Sequence, residues 1–155
     1  MSTNYTIITA ERPDTADAIG LIDELEAHLA SLYPLESRHG FSVQKLIDDQ
    51  VAFFVARHER TPAGCGGIKL FGTEYGELKR MYVRPRFRGL GIGRLLLDQL
   101  SNHARSHAVH VLRLETGIHQ AEAIRLYERM GFKSIPPFPP YRPDPLSRCY
   151  EKRLD

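Results

Sequence analysis

A chain of 155 residues is long enough for one domain with its own core, and 42% apolar with 26% charged residues is the mix of a globular protein. A formal net charge of +2 gives no reason to expect a nucleic-acid partner, and no stretch approaches the roughly 18 apolar residues of a membrane span. Met1-Ser-Thr-Asn4 shows no basic-then-apolar leader pattern, so the expectation is one domain over 1–155 in the cytoplasm, away from membranes.

Thr3–Thr9 alternates and reads as a first strand. Asp14 or Thr15 can cap a helix whose apolar positions Ala18, Ile19, Ile22, Leu25, Leu29 and Leu32 recur at helical spacing and stop before Pro34. Residues 34–40 read as a loop, Ser42–Asp49 as a short helix and Val51–Arg57 as a buried strand. Arg60–Gly64 turns the chain into Cys65–Phe71, and Gly72–Gly76 turns it into Glu77–Val83, a meander of three antiparallel strands. A helix is expected from Gly91 to Ala108, with Ile92, Leu95, Leu96, Leu100 and Ala104 on its buried face. Val111–Glu115 reads as a strand, Gln120–Met130 as a helix stopped by Gly131, and Phe132 as the start of another strand. Pro136, Pro137, Pro139, Pro140, Pro143 and Pro145 predict a rigid, extended loop before a last strand, Arg148–Arg153.

The most informative stretch joins the third meander strand to the long helix. Gly89, Gly91 and Gly93 alternate through the connection, and Arg86, Arg88 and Arg94 surround it. Unshielded glycine backbone, orphan N–H groups and the positive end of a helix dipole together make an anion cradle suited to a pyrophosphate. The spacing excludes a dinucleotide fingerprint, because Arg94 stands where G-x-G-x-x-G needs its third glycine, and no G-K-[ST] follows as a Walker loop requires.

Arg88-x-x-Gly91-x-Gly93 does match the [QR]-x-x-G-x-[GA] signature of the GNAT superfamily of acyl-CoA N-acyltransferases. Met81-Tyr-Val-Arg-Pro85 resembles the end of that family's fourth strand, and Ala123-Ile-Arg-Leu-Tyr-Glu-Arg-Met-Gly-Phe132 resembles its second motif. Glu77–Met81, Leu114–Gly117 and the proline-rich tail are similar to a subgroup of small bacterial members, some named for acetyl transfer in indole-acetate metabolism. The resemblance implies an α/β (α+β) GNAT fold: a mixed central sheet of about six or seven strands flanked by about four helices. It also implies an N-acetyltransferase with acetyl-CoA as donor substrate and no metal.

Carried onto this chain, the resemblance implies that Met81, Tyr82 and Val83 pair with the pantetheine arm. The pyrophosphate is then expected on Gly89, Leu90, Gly91, Ile92, Gly93 and Arg94, with Arg88 shaping the loop. Many relatives keep an asparagine near the start of the second-motif helix; Gln120 stands there as the cofactor contact. Tyr127 takes the position of the acid that protonates the leaving thiolate. The base is Glu115, Glu77 or a water chain, since either glutamate starts or ends a strand near the expected opening in the sheet. Strand alternation places Glu77, Lys79, Met81 and Val83 on one face.

The expected partner is a small-molecule amine, held in a closed pocket between Tyr33–Phe41 and the tail, with Phe138 and Tyr141 as apolar walls and Arg142 or Asp144 as charged ends. Arg38, Lys79, Arg80 and Arg142 are candidates for gripping a carboxylate on an amino-acid-like substrate. A protein N-terminal or lysine acetyltransferase, and a non-catalytic acyl-CoA-binding module, are the alternatives; a homodimer is open. Cys65 and Cys149 are expected as free buried thiols, and His103 and His107, one helical turn apart without a carboxylate, as solvated side chains.

Overall fold

The Thr15 side chain accepts the Ala18 N–H at 3.2 Å and starts helix α1, Ala16–Leu32, which presents Ala18, Leu21, Ile22 and Leu25 inward. Ile19 and Leu32, expected on that face, are exposed; Leu21 takes the inner position instead. Ser42 caps α2, Val43–Asp48, in the same way. The remaining helices are α3, Ile92–Ser106, and α4, Ala121–Arg129. The strands are β1 Thr6–Ala10, β2 Ala52–His58, β3 Thr61–Phe71, β4 Tyr75–Val83, β5 Val111–Gly117, β6 Lys133–Ile135 and β7 Ser147–Arg153. This computed structural model describes residues 5–155, so Thr3 and Asn4 of the expected first strand lie outside it.

These strands form one seven-stranded sheet in the order β1-β2-β3-β4-β5-β7-β6. Only β4 and β5 pair in parallel; the other neighbours are antiparallel. The mixed α/β architecture is that of the expected GNAT fold. Helices α1 and α2 cover one face, with Leu46 of α2 in a cluster with Phe53, Val55 and Cys65. On the other face α3 and α4 pack over Leu78, Leu112, Leu114 and Tyr150. The long helix buries Ile92, Leu96, Leu97, Leu100, Ser101 and Ala104, while Leu95 is 41% exposed, so the expected stripe is rotated toward Leu97.

Two local features shape the middle of the sheet. Strand β3 begins at Thr61, earlier than expected, because Thr61 and Pro62 already pair with His58 and Arg57. In β4 the register shifts: Cys65 faces Tyr82, Gly67 faces Lys79, and Gly66 alone stands opposite Arg80 and Met81. This bulge puts Arg80 at φ +55 and breaks the expected alternation. Glu77, Lys79 and Arg80 face α1 and the tail, whereas Met81 and Val83 turn to the core beneath α3.

The proline-rich tail is not extended. The Pro139–Pro140 peptide is cis, and the Tyr141 N–H donates to the Phe138 carbonyl at 2.8 Å, so the chain turns back and lays Tyr141 over the sheet. Phe138 is buried against Tyr75, Arg113 and Tyr141.

Candidate active site

The ladder between β4 and β5 stops after two residue pairs, Gly76 with Leu112 and Glu77 with Arg113. Both strands continue, to Val83 and to Gly117, but diverge. Beyond the bulge, Met81, Tyr82 and Val83 therefore border a slot in the sheet that has no strand on the β5 side. An extended ligand can add there by main-chain hydrogen bonds.

The glycine connection lies at the open end of that slot. The Arg88 Nε donates to the Val83 carbonyl at 3.1 Å, folding the loop onto the end of β4, and sits 3.3 Å from Glu122 on α4. Gly91, at φ +79, is the N-cap of α3, and no side chain caps that end. The first helical bond runs from the Leu95 N–H to the Gly91 carbonyl at 3.1 Å, so the Ile92, Gly93 and Arg94 N–H groups are left for an outside acceptor. Gly93 has a different constraint: a Cβ there would come within 2.7 Å of Leu126 Cδ2, so its smallness lets α3 approach α4.

At the inner end of the slot is a cavity of about 100 Å³. Glu115 and Thr116 from β5, Gln120 at the N-cap of α4 and Tyr127 within it, Lys79–Met81 from β4, Tyr33 from the end of α1, residues 37–40 and Tyr141 line it. The Ser37 hydroxyl donates to Asp144 Oδ2 at 2.7 Å and ties the 34–40 segment to the tail. Tyr33 fixes the β5–α4 connection, accepting the His119 N–H at 2.8 Å and donating to Gln120 Oε1 at 3.5 Å. Its ring also stands where a side chain on Gly117 would be, 2.2 Å from an added Cβ.

The two glutamates have different surroundings. Glu77 is 1% exposed, lies 2.8 Å from the Lys79 ammonium and accepts the Tyr141 hydroxyl. Lys79 in turn donates to Tyr141 Oη at 2.9 Å and sits 4.0 Å above the Phe41 ring. Among the described residues Glu115 is held only by the Ser147 hydroxyl, at 2.6 Å, and burial pushes its carboxyl above the usual carboxylate range; the Ser147 bond, His39 and Lys79 act against that shift. Tyr127 is 5% exposed, and burial raises its phenol well above the ordinary tyrosine value, with the Glu115 charge acting in the same direction. Tyr141 is raised by burial and then by Glu77.

The cavity thus brings together Glu115, Tyr127 and Gln120, while Glu77 is enclosed by two of the residues that line it. Arg142 is exposed and not part of the lining, and Phe138 lies behind Tyr141. Glu26 and Ser147, which no sequence pattern singles out, are the immediate partners of Arg38, Arg80 and Glu115. Cys65 and Cys149 are free and buried, and burial pushes the Cys65 thiol up to about 12. Among the described residues no group of three His, Cys, Asp or Glu side chains is placed to hold a metal, and no helix is long and apolar enough to cross a membrane.

Residues 20–132 match the model of the acetyltransferase (GNAT) family. The chain is 46% identical over 149 residues to the IAA acetyltransferase of Azospirillum brasilense, covering 95% of this chain and 97% of that protein. A crystal structure assigned as an acyl-CoA N-acyltransferase from Klebsiella pneumoniae superposes with a TM-score of 0.82 at 39% identity, covering 97% of this chain and 98% of that one. The fold is also that of yncA from Salmonella typhimurium, assigned as an acetyltransferase and solved with acetyl-CoA, at a TM-score of 0.69 and 21% identity over 98% of this chain and 95% of that one.

Proposed function

Since the chain belongs to the acetyltransferase (GNAT) family and is an acyltransferase, we propose that it moves the acetyl group of acetyl-CoA to the primary amine of a small molecule held in the cavity. The observation that carries this reading is the slot between β4 and β5, with an anion cradle at one end and a cavity holding Glu115 and Tyr127 at the other. Met81, Tyr82 and Val83 offer backbone to the pantetheine arm, and the N–H groups from Gly89 to Arg94 take the pyrophosphate. Gln120 stands at the start of α4, where its amide can reach the donor.

Amide formation needs a neutral amine, a carbonyl polarised for attack and a proton for the departing sulfur. Glu115 takes a proton from the acceptor amine as its nitrogen bonds to the thioester carbonyl carbon. Tyr127, kept protonated by burial, gives its proton to the sulfur as the carbon–sulfur bond breaks. Glu115 suits the base role better than Glu77: it lines the cavity, has no cation in direct contact among the described residues and has a raised pKa that brings it nearer neutral pH. Glu77 already compensates Lys79 and holds Tyr141 in the wall. A small acceptor fits a cavity of about 100 Å³ lined by residues 37–40 and Tyr141 better than a protein segment does.

Calorimetric titration with acetyl-CoA tests the first step. Micromolar binding that Gly91→Asp weakens at least about tenfold is expected. No binding to folded wild-type protein overturns the reading. An amine screen for released CoA follows, with Tyr127→Phe as the control that separates turnover from binding.

A further inference from the structure

We infer that the acceptor carries a carboxylate as well as its amine, and that Arg38 and Arg80 seat that carboxylate in the cavity. The inference rests on the acyl-transfer reading of the same site and adds the chemical class of the acceptor.

The first argument is a charge count. Arg38 and Arg80 both line the cavity and share a single counter-ion, Glu26: Arg38 Nη1 donates to Glu26 Oε2 at 3.0 Å and Arg80 Nη2 to Glu26 Oε1 at 2.7 Å. Lys79 is matched by Glu77. Two guanidiniums against one carboxylate leave one positive charge over.

The second argument is hydrogen bonding. The Arg80 side chain is only 4% exposed, with Nε on the Phe41 carbonyl at 2.9 Å, yet its Nη1 is buried without a hydrogen-bond partner among the described residues. The Arg38 Nε is orphaned in the same way. Nε and Nη2 form the edge with which a guanidinium grips a carboxylate in two parallel bonds, and the Glu26 contact of Arg38 uses Nη1 instead. Buried donors on a charged group are costly to leave unmade, and both of these belong to side chains that line the cavity, where an anionic ligand group would compensate them.

The third argument is the local strain used to bring Arg80 here. Its backbone is at φ +55, and a Cβ on Gly40 would lie 2.3 Å from the Arg80 Cζ. A non-glycine left-handed residue is a feature found where a site needs a group in one place, and Gly40 leaves room for the guanidinium beside it. Glu115 lines the same cavity and has no cation in direct contact among the described residues. An amino acid matches both ends, its carboxylate on the arginines and its amino group, neutral for attack, toward Glu115.

The test is calorimetric titration of the full chain, with and without CoA, using a panel of α-, β- and γ-amino acids, each paired with its own carboxamide. At least one acid is expected to bind about 10- to 100-fold more tightly than its amide. Arg38→Gln, at a partly exposed position, should abolish that preference, and Arg38→Lys should restore only part of it because an ammonium lacks the fork. Unchanged circular dichroism and melting temperature show that the variants remain folded. No acid binding, amides binding as well as acids, or a preference that survives Arg38→Gln each overturns the inference. Acetyl-CoA affinity, measured separately, tells whether the acyl-transfer reading falls with it or stands alone.

Discussion

Glu77 and Lys79, two residues apart on β4, form a 2.8 Å ion pair under the Tyr141 ring, with side chains 2% and 6% exposed. All three Lys79 N–H bonds have an acceptor: the Glu77 carboxylate, the Tyr141 hydroxyl and the face of Phe41. Breaking one side of such a pair leaves a buried charge alone. Lys79→Ala is therefore expected to cost about 3–5 kcal/mol. The double variant Lys79→Met, Glu77→Gln should recover most of that loss, because it removes both charges. Urea unfolding of the three proteins checks this, and equal losses in single and double variants would contradict it.

Two glycines should respond differently to alanine. At Gly64 an added Cβ meets the Tyr82 backbone carbonyl at 2.6 Å, and that oxygen cannot move without shifting β4. At Gly91 the space is open but φ is +79, so alanine brings only backbone strain, about 1–2 kcal/mol. Thermal melts should rank Gly64→Ala as the more damaging.

Glu115 should set the acid limb of kcat/KM. Its carboxyl is raised by burial, so the limb lies above the ordinary carboxylate range. The Ser147 hydroxyl favours the charged form, and its removal must raise the value further. Ser147→Ala should move the limb to higher pH, and a limb that stays in place would remove Glu115 from the base role.

Tyr127→Phe removes one hydroxyl from a buried ring packed against Phe132 and leaves the apolar contacts in place. Turnover should fall about 100-fold or more. Acetyl-CoA affinity should change little, and a variant with wild-type kcat would assign the proton donor to another group.

Glu26 links stability to pH. The Arg80 hydrogen bond, with smaller help from Arg38, holds its carboxyl below the usual glutamate value against the effect of burial. A folded-state value below the unfolded one stabilises the protein above the unfolded value, near about 4.3, and that contribution is lost as pH falls through the folded value. Glu26→Gln should flatten the acid end of a stability–pH curve, measured by urea unfolding between pH 3 and 6 (about this window).

The glycine loop, the helix behind it and the second-motif helix were legible because their signals are local: periodic leucines, a capping turn and glycine punctuation. The inner stripe of α3 was harder. Leu95, Leu96 and Leu97 are consecutive, and only the packing against the sheet and Leu126 decides which of them turns inward. The bulge at Arg80 has no mark in the sequence, since arginine is not a residue that announces a left-handed backbone; it is set by Gly66 across the ladder and by Glu26 on another element. Glu26 itself stood on the polar side of α1 among ordinary surface charges. The fold of the tail depends on Tyr141 reaching Glu77, a contact 64 residues distant in the chain, which composition cannot convey.

The strand order carries a consequence for how the molecule is made. Strand β7 lies between β5 and β6, and β6 pairs with no other strand among the described residues. During vectorial synthesis β5, α4 and β6 emerge before the segment that stitches them together. The Glu115 wall of the cavity lacks Ser147, and the Glu77 wall lacks Tyr141, until the last turn of the tail has left the ribosome. A chain lacking the residues from 141 onward would thus keep the sequence of its anion cradle and α3, while neither carboxylate would have its hydroxyl partner.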